Sequence, residues 1–207
     1  GGWIGQANEA FIDALQGEVV LPQPVEATQV HFDPVYRGGY GWLFPKGDTA
    51  NTGVGVSRAL GGHPQQALDH LLDRLGIGSG DIVGRTGGPV PSGGPVGSIR
   101  HGNTLLVGDA AGHTHAVTGA GIFSAVVGGT LAGQAIGGAL ETDDLSVLSE
   151  YESEWEAFLG GPMRHAVSKR RYLDLHWSDD AGELSDVLRE TWIAFRAYGR
   201  RQTKTKA

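Results

Sequence analysis

The sequence predicts an α+β fold that combines an antiparallel sheet, a strand–turn–helix unit and a set of C-terminal helices. Residues 17–57 contain short apolar segments with a period of two, separated by Pro residues and a Gly-Asp pair. This pattern is typical of antiparallel strands. Residues 105–122 pass from an apolar run through a glycine-rich turn into an apolar helix candidate. Beyond residue 142, apolar residues recur at helical spacing.

The N-terminal half is predicted to begin with a helix and to continue as a sheet. Residues 1–16 fit a short helix that ends before Gly17. Four segments fit strands: residues 18–21, 28–32, 40–44 and 52–56. Pro64 favours a helix start, and an apolar stripe of leucines follows it until Gly76 stops the helix. This helix is expected to lie on the sheet.

The C-terminal half is predicted to be mostly helical. Residues 82–88 fit a strand. The Pro- and Gly-rich residues 89–95 are expected to be irregular, either as a crossing between domains or as a loop that touches a ligand. Residues 122–140 carry no charge and are interpreted as a buried helix packed on a sheet, not as a membrane span. Small residues at four-residue spacing from Gly121 to Gly137 predict that one face of this helix presses on another backbone.

Three more helices and a tail are expected after that segment. The helices are predicted to start at Asp143 or Asp144, to restart after a break at residues 160–162, and to start again at Asp179 or Asp180. The basic residues 200–206 are expected to form a solvated tail.

Composition excludes several classes of function. The chain has 207 residues, a net charge of −7 and no Cys. An acidic chain lacks the basic face of a general nucleic-acid binder, and a chain without Cys has no disulfide, thiolate metal site or cysteine nucleophile. No signal peptide is expected, because no charged segment precedes an apolar one at the N-terminus. The chain starts with Gly1, which is typical of a fragment or a trimmed chain.

The most informative segment is the glycine-rich turn at residues 108–121. Asp109 is predicted to follow a buried strand at residues 105–107, where open α/β sheets bind their ligands. A carboxylate there can accept hydrogen bonds from sugar-like hydroxyls. Gly119 and Gly121 allow backbone N–H groups to approach a ligand, and the helix after them offers its positive end to an anion. The segment indicates a nucleotide-type cofactor; the alternative is an ordinary strand–turn–helix with a capping aspartate.

A second candidate site is the aromatic strand at residues 40–44. Side chains alternate along a strand, so Tyr40, Trp42 and Phe44 are expected on one face, where they form a flat apolar wall. The alternative interpretation is an ordinary core stripe.

His113 and His115 form a His-x-His pair inside the glycine-rich segment. Two such ligands without a third ligand type nearby make a weak metal site, so no metal is predicted. Polar loop histidines beside a cofactor are the preferred interpretation. Either histidine is also a candidate proton donor to a reduced substrate.

Both segments resemble the geranylgeranyl reductase family of FAD-dependent oxidoreductases, which have a p-hydroxybenzoate hydroxylase-like fold. The resemblance implies FAD as the cofactor, with Asp109 on the ribityl chain and residues 118–122 along the pyrophosphate and the pyrimidine edge of the flavin. Ala116 and Ala120 depart from the residues common in the family. The cofactor-binding residues so implied are Gly108, Asp109, Ala110, Ala111, Gly112, Thr118, Gly119, Ala120, Gly121 and Ile122.

The aromatic strand is similar to the family signature Pro-x-x-Tyr-x-Trp-x-Phe-Pro. This similarity implies that Tyr40, Trp42, Phe44 and Pro45 line an isoprenoid cavity. Arg37 stands where the signature has its first proline, so the preceding turn is expected to differ. Residues 87–95 resemble the crossing by which the family returns to its flavin domain.

The resemblance also implies a division into four segments. Residues 1–16 would end an N-terminal FAD-domain segment, residues 17–97 would form an antiparallel-sheet substrate domain, residues 98–141 would supply the C-terminal strand and helix of a Rossmann-like FAD domain, and residues 142–207 would form a helical region. The family's Gly-x-Gly-x-x-Gly turn is absent from this sequence, so the adenosine-binding half of the FAD site is expected to be missing.

The function implied is a flavoprotein of lipid biosynthesis that uses reduced FAD to reduce carbon–carbon double bonds of a prenyl chain. Its partners would be an isoprenoid lipid substrate and an external electron donor, NAD(P)H or a ferredoxin-like protein, and no nucleic acid. Its location would be cytoplasmic, with peripheral membrane contact left open. Two alternatives stay open: a flavin-dependent monooxygenase or halogenase on the same fold, and a non-catalytic module that binds apolar ligands without a complete flavin site.

Overall fold

Asn8 and residues 10–199 are described by the computed structural model, and they fall into two units. The sheet unit consists of residues 12–90 and 172–199. The motif unit consists of Asn8 and residues 10–11 and 91–171. Each unit has a hydrophobic core of its own.

The sheet unit is built on five strands, β1 (Phe11–Val20), β2 (Gln29–His31), β3 (Tyr40–Lys46), β4 (Thr49–Ser57) and β5 (Ile82–Pro91). Their order in the sheet is β2-β3-β4-β1-β5. The pairs β1–β4, β2–β3 and β3–β4 are antiparallel, which confirms the predicted sheet.

Two of the predicted boundaries in this sheet are wrong. Residues 11–16 belong to β1 instead of a helix, because they pair along β4 and tertiary pairing overrides a short apolar pattern. The rest of that predicted helix lies outside the described residues, apart from Asn8 and Ala10, which are not helical. β5 extends through Pro89 to Pro91, where irregular structure is predicted. An edge strand tolerates proline because one side of it needs no ladder hydrogen bonds.

Helix α1 (Pro64–Leu75) has the predicted start, stripe and stop. Its buried residues Ala67, Leu68, Leu71 and Leu72 pack in one cluster with β3 and β4, including Leu43, Val54 and Val56. Gly76 ends the helix at φ +67 and donates its N–H to the carbonyls of Asp73 and Leu72. The sheet and α1 therefore form the core of this unit.

In the motif unit, a small two-stranded sheet precedes the glycine-rich segment. It consists of β6 (Arg100–His101) and β7 (Thr104–Leu105), and a 3₁₀ turn (Gly108–Ala111) follows. The predicted buried strand at residues 105–107 is therefore wrong beyond Leu105. Val107 is 38% exposed, and Gly108 at φ +58 turns the chain into the 3₁₀ turn.

The remaining helices are α2 (Ile122–Thr142), α3 (Ser149–Trp155), α4 (Gly161–Leu175) and α5 (Ala181–Thr191). The break predicted at residues 160–162 is wrong, since a π-helical turn (Glu156–Gly160) joins α3 to α4. Pro162 lies in the first turn of α4, directly after the π-helical turn. The tail predicted at residues 200–206 lies outside the described part of the chain.

α2 buries a narrower face than the sequence predicts. Its buried residues are Ser124, Gly128, Ala132, Ala135 and Ala139, and it packs on α3 and a 3₁₀ segment (Leu145–Leu148), not on a sheet. A Cβ added at Gly129, Gly133 or Gly137 would meet nothing within 4 Å among the described residues, so in this structure the predicted glycine face is exposed. By length and composition α2 could cross a membrane, although core helices of other proteins pass the same test.

Candidate functional site

The glycine-rich segment is shaped by its backbone. Gly112, at φ +68, donates its N–H to the carbonyl of Asp109 over 3.0 Å, and His113 donates its N–H to the carbonyl of Gly108 over 3.0 Å. A Cβ at Gly112 would overlap the carbonyl oxygen of Gly94. Asn8 Nδ2 also donates to the carbonyl of Asp109, over 3.0 Å. The turn is thus closed by main-chain contacts that leave no room for a side chain at Gly112.

Asp109 lies at the beginning of α2. A Cβ at Gly121 would be in ordinary contact with Asp109 Oδ1 at 3.5 Å, and at 2.9 Å from Thr114 Cγ2 it would force the Thr114 side chain to shift. Gly121 caps α2 without a side-chain hydrogen bond, which leaves the first N–H groups of the helix to other partners. The exposed residues of this surface are Asp109, Ala110, Gly119, Ala120 and Ile122, whereas Ala111 and Gly112 are buried.

The turn at residues 115–120 is held by its own hydrogen bonds. His115 donates its N–H to the carbonyl of Ala120 (2.9 Å), and Gly119 donates its N–H to the carbonyl of His115 (2.8 Å). Thr118 donates its N–H to His115 Nδ1 (3.2 Å), which assigns the proton of the neutral imidazole to Nε2. Desolvation lowers the pKa of His115, and nearby His165 lowers it further against an opposing backbone hydrogen bond.

His113 has a different environment from His115. Its side chain has 0% exposure and stacks on Trp155, with ring centroids 4.1 Å apart. Neither ring nitrogen has a hydrogen-bond partner within Asn8 and residues 10–199. Burial lowers the pKa of His113 to about 4, so the ring is neutral at neutral pH. His113 therefore belongs to the core, while His115 remains partly accessible.

The described residues contain no group of three or more His, Cys, Asp or Glu side chains that could hold a metal ion. The polar groups that this segment exposes in full or in part include the Asp109 carboxylate and the His115 imidazole.

The aromatic stripe (Tyr40, Trp42 and Phe44) lies along one face of β3. Its ring centroids are 5.7 Å apart from Tyr40 to Trp42 and 6.1 Å apart from Trp42 to Phe44. Trp42 Nε1 donates to Gln16 Oε1 over 3.2 Å, which orients the indole. Pro45 follows Phe44 in the strand and by alternation lies on the opposite face.

Two glycines of β4 lie opposite the aromatic residues of the stripe. Gly53 is paired with Trp42, and Gly55 is paired with Tyr40. A Cβ at Gly53 would lie 2.5 Å from Trp42 Cζ2 and 2.7 Å from the carbonyl oxygen of Leu15. The sequence analysis missed these residues, although the Gly-x-Gly pattern at residues 53–55 on a strand is a signal of close packing.

Arg37, the departure from the family signature, makes a contact that a proline cannot make. Its Nη2 donates to Asp179 Oδ2 over 3.0 Å, between two side chains that are 40% and 68% exposed. Its carbonyl accepts the N–H of Ser57 over 2.7 Å. The turn before β3 is therefore tied both to β4 and to the segment that precedes α5.

No protein-family model matches the chain. It is 32% identical over 191 residues to digeranylgeranylglycerophospholipid reductase 1 of Methanococcoides burtonii, a match that covers 86% of this chain and 47% of that protein. It is 39% identical over 139 residues to digeranylgeranylglycerophospholipid reductase 1 of Methanopyrus kandleri, with coverage of 63% and 37%. The chain therefore spans about half the length, or less, of these curated relatives.

Solved structures show the same fold. A geranylgeranyl bacteriochlorophyll reductase-like protein from Thermoplasma acidophilum matches with a TM-score of 0.70 and 22% identity, over 90% of this chain and 53% of that one. A flavin-dependent halogenase, CmlS, matches with a TM-score of 0.62 and 17% identity, over 99% and 43%. The predicted mixed fold is confirmed, and sequence relatives and fold agree: the chain belongs to the geranylgeranyl reductase family.

Proposed function

We propose that this chain is part of an FAD-dependent oxidoreductase that reduces carbon–carbon double bonds in the prenyl chain of an isoprenoid lipid. The observation that carries the proposal is the aromatic stripe with its paired glycines, a continuous apolar surface of the kind that holds a hydrocarbon chain. The relatives named digeranylgeranylglycerophospholipid reductase support this choice of reaction over the halogenase chemistry of a structural neighbour.

Two features of the motif unit suit FAD. The Asp109 side chain is exposed, and it lies beside the uncapped start of α2. Asp109 would accept hydrogen bonds from ribityl hydroxyls. Residues 118–122 would lie along the pyrophosphate and the pyrimidine edge of the flavin, and the uncapped N–H groups at the start of α2 would be the donors. Reduced FAD, when bound, supplies the hydride equivalent.

Proton delivery is proposed for His115 and not for His113. His115 is partly accessible and carries its neutral-state proton on Nε2, whereas His113 is enclosed against Trp155. Desolvation lowers the pKa of His115, so its charged form is less populated than that of a free histidine but is a stronger proton donor. The role of the protein side chains is to orient the alkene and to exclude water from it.

The proposed partners are an isoprenoid lipid and an external reductant, NAD(P)H or a ferredoxin-like protein. We place the enzyme in the cytoplasm with peripheral access to the membrane that holds such lipids. The exposed apolar side of α2, with Phe123 66% and Val126 63% exposed, is compatible with that placement.

The test is a titration of FAD onto the chain, followed by flavin fluorescence. Asp109→Ala is expected to weaken FAD binding about tenfold because it removes a charged hydrogen-bond acceptor. Glu154→Ala, an exposed acid on α3 of the same unit, is the matched control and should leave binding unchanged. Binding of prenyl alcohols without binding of FAD would favour the non-catalytic alternative.

Reaction class is tested separately under anaerobic conditions with chemically reduced FAD and geranylgeraniol. Mass spectrometry should show a product that has gained one molecule of hydrogen, from a hydride and a proton. Oxygen consumption coupled to a hydroxylated or halogenated product would instead support the monooxygenase or halogenase alternative.

A further inference from the structure

The aromatic stripe has one closed end and one open end. At the Tyr40 end, Trp192 stands edge-on to Tyr40 with centroids 4.8 Å apart, and edge-on to Phe32 with centroids 4.9 Å apart. At the other end, Phe44 is 39% exposed, and the structure gives it a ring contact to Trp42. A chain that lies along the stripe therefore meets a wall of rings at one end and solvent at the other.

Trp192 is held firmly although it lies outside a regular element. Asp180 caps α5 by accepting the N–H groups of Gly182 and Glu183, both over 2.9 Å. Trp192 leaves the helix with an extended backbone (φ −88, ψ 132) and donates its own N–H to the carbonyl of Leu188 over 2.8 Å. The buried residues Leu184, Leu188 and Thr191 anchor the helix that carries it.

The start of α5 is tied to the same end of the stripe. The Arg37–Asp179 ion pair joins the turn before β3 to the residue before the α5 cap. The residues on either side of α5, Asp179 and Trp192, thus contact side chains between residues 32 and 40. Burial also raises the pKa of Tyr40 to about 12, as expected for a phenol at the dry end of an apolar surface.

We propose that Trp192 is the end stop of the prenyl-binding surface and sets the length of chain that the enzyme accepts. The inference rests on the proposed function, because it assumes that a prenyl chain lies on the stripe. The chain enters at Phe44 and its terminal isoprene stops against Trp192. At about 3.3 Å per strand residue, the stripe from Tyr40 to Phe44 offers ~13 Å of aromatic surface before that wall. A tryptophan suits this role because it supplies a large rigid surface with few rotatable bonds.

The test compares the affinities of the full chain for farnesol and geranylgeraniol, measured by calorimetry for the natural chain and three variants. Trp192→Ala should raise the geranylgeraniol-to-farnesol affinity ratio roughly tenfold, because the longer chain gains the vacated space. Trp192→Phe should give a ratio between the two, since a smaller ring still closes the end. Ile193→Ala, which changes an exposed neighbour, is the matched control and should keep the natural ratio.

Three outcomes are distinguishable, with the fold of each variant checked by circular dichroism. A shift of the ratio in Trp192→Ala with partial return in Trp192→Phe supports the end stop. Equal weakening of both alcohols overturns it, because Trp192 would then act only through packing, while the proposed function would stand. If the natural chain binds neither alcohol, the proposed prenyl site fails, and the end stop fails with it.

Discussion

The aromatic stripe and the glycine-rich turn are both candidate binding surfaces, but they are built in different ways. The stripe consists of side chains on a strand whose pairing with β4 and β2 does not depend on any one ring. The turn consists of main-chain groups that require glycines at positive φ, as at Gly108, Gly112 and Gly119. We conclude that the turn is sensitive to any added Cβ, whereas the stripe is sensitive to the size and position of each ring.

Gly112→Ala should break the turn and give the largest effect. The substitution combines a left-handed backbone with overlap between the new Cβ and the Gly94 carbonyl, so we expect a loss of about 3 kcal/mol or more in unfolding free energy. Urea unfolding measures it, with FAD binding lost in parallel. Gly161→Ala in the same unit, where a Cβ would meet nothing within 4 Å, is the control. If Gly112→Ala has the same free energy of unfolding as the natural chain, the turn does not have the close contact described for Gly112.

His113 provides a pH test of the motif unit. Its pKa falls from 6.5 to about 4 in the folded chain because of burial. Above pH 6.5 the ring is neutral in both the folded and the unfolded chain, so the buried ring does not lower the free energy of unfolding through protonation. Between pH 6.5 and 4 the unfolded chain takes up a proton that the folded chain does not, which costs about 3 kcal/mol by pH 4.

His113→Phe should flatten this pH dependence, measured as urea midpoints from pH 7 to pH 4. A residual slope of the same sign is expected from His115, whose pKa is also lowered. His63→Phe, at an exposed position in the sheet unit, serves as the control. An unchanged slope in His113→Phe would show that His113 is not the buried neutral group.

Gly53→Ala should impair ligand binding at the aromatic stripe and leave ligand binding at the glycine-rich turn unchanged. Its Cβ would lie 2.5 Å from Trp42 Cζ2, so the indole must shift, at a cost of about 1–3 kcal/mol in stability. We expect weaker geranylgeraniol binding and unchanged FAD binding, both followed by calorimetry. Gly88→Ala on β5 adds a methyl group in open space and is the matched control. An equal loss of affinity for both ligands would show that the stripe and the turn are not independent binding surfaces.

Gly129→Ala should have the smallest effect, and a favourable one. The residue lies on the exposed side of α2, where a Cβ meets nothing within 4 Å, so alanine should raise helix stability by about 0.5–1 kcal/mol. Thermal unfolding measures the change. If the variant is destabilised, the result would support the glycine packing face predicted from the sequence.

Local features were predicted well where neighbours in sequence decide the structure. The start of α1 at Pro64, its leucine stripe and its stop at Gly76 follow from proline geometry, helical period and the conformational freedom of glycine. The alternation of Tyr40, Trp42 and Phe44 follows from strand geometry alone. In contrast, the helix predicted at residues 1–16 is wrong over residues 12–16, because that segment pairs with β4.

The composition and order of residues therefore suffice for the mixed fold, the aromatic face and the glycine-rich turn with Asp109, because each depends on local period or turn chemistry. They do not separate His113 from His115, which are two positions apart and equally polar. Three contacts in the structure distinguish core residues from candidate site residues. They are the stacking of Trp155 on His113, the pairing of Gly53 with Trp42 and the contact of Trp192 with Tyr40. These contacts join residues distant in the chain, so packing decides them and local preference does not.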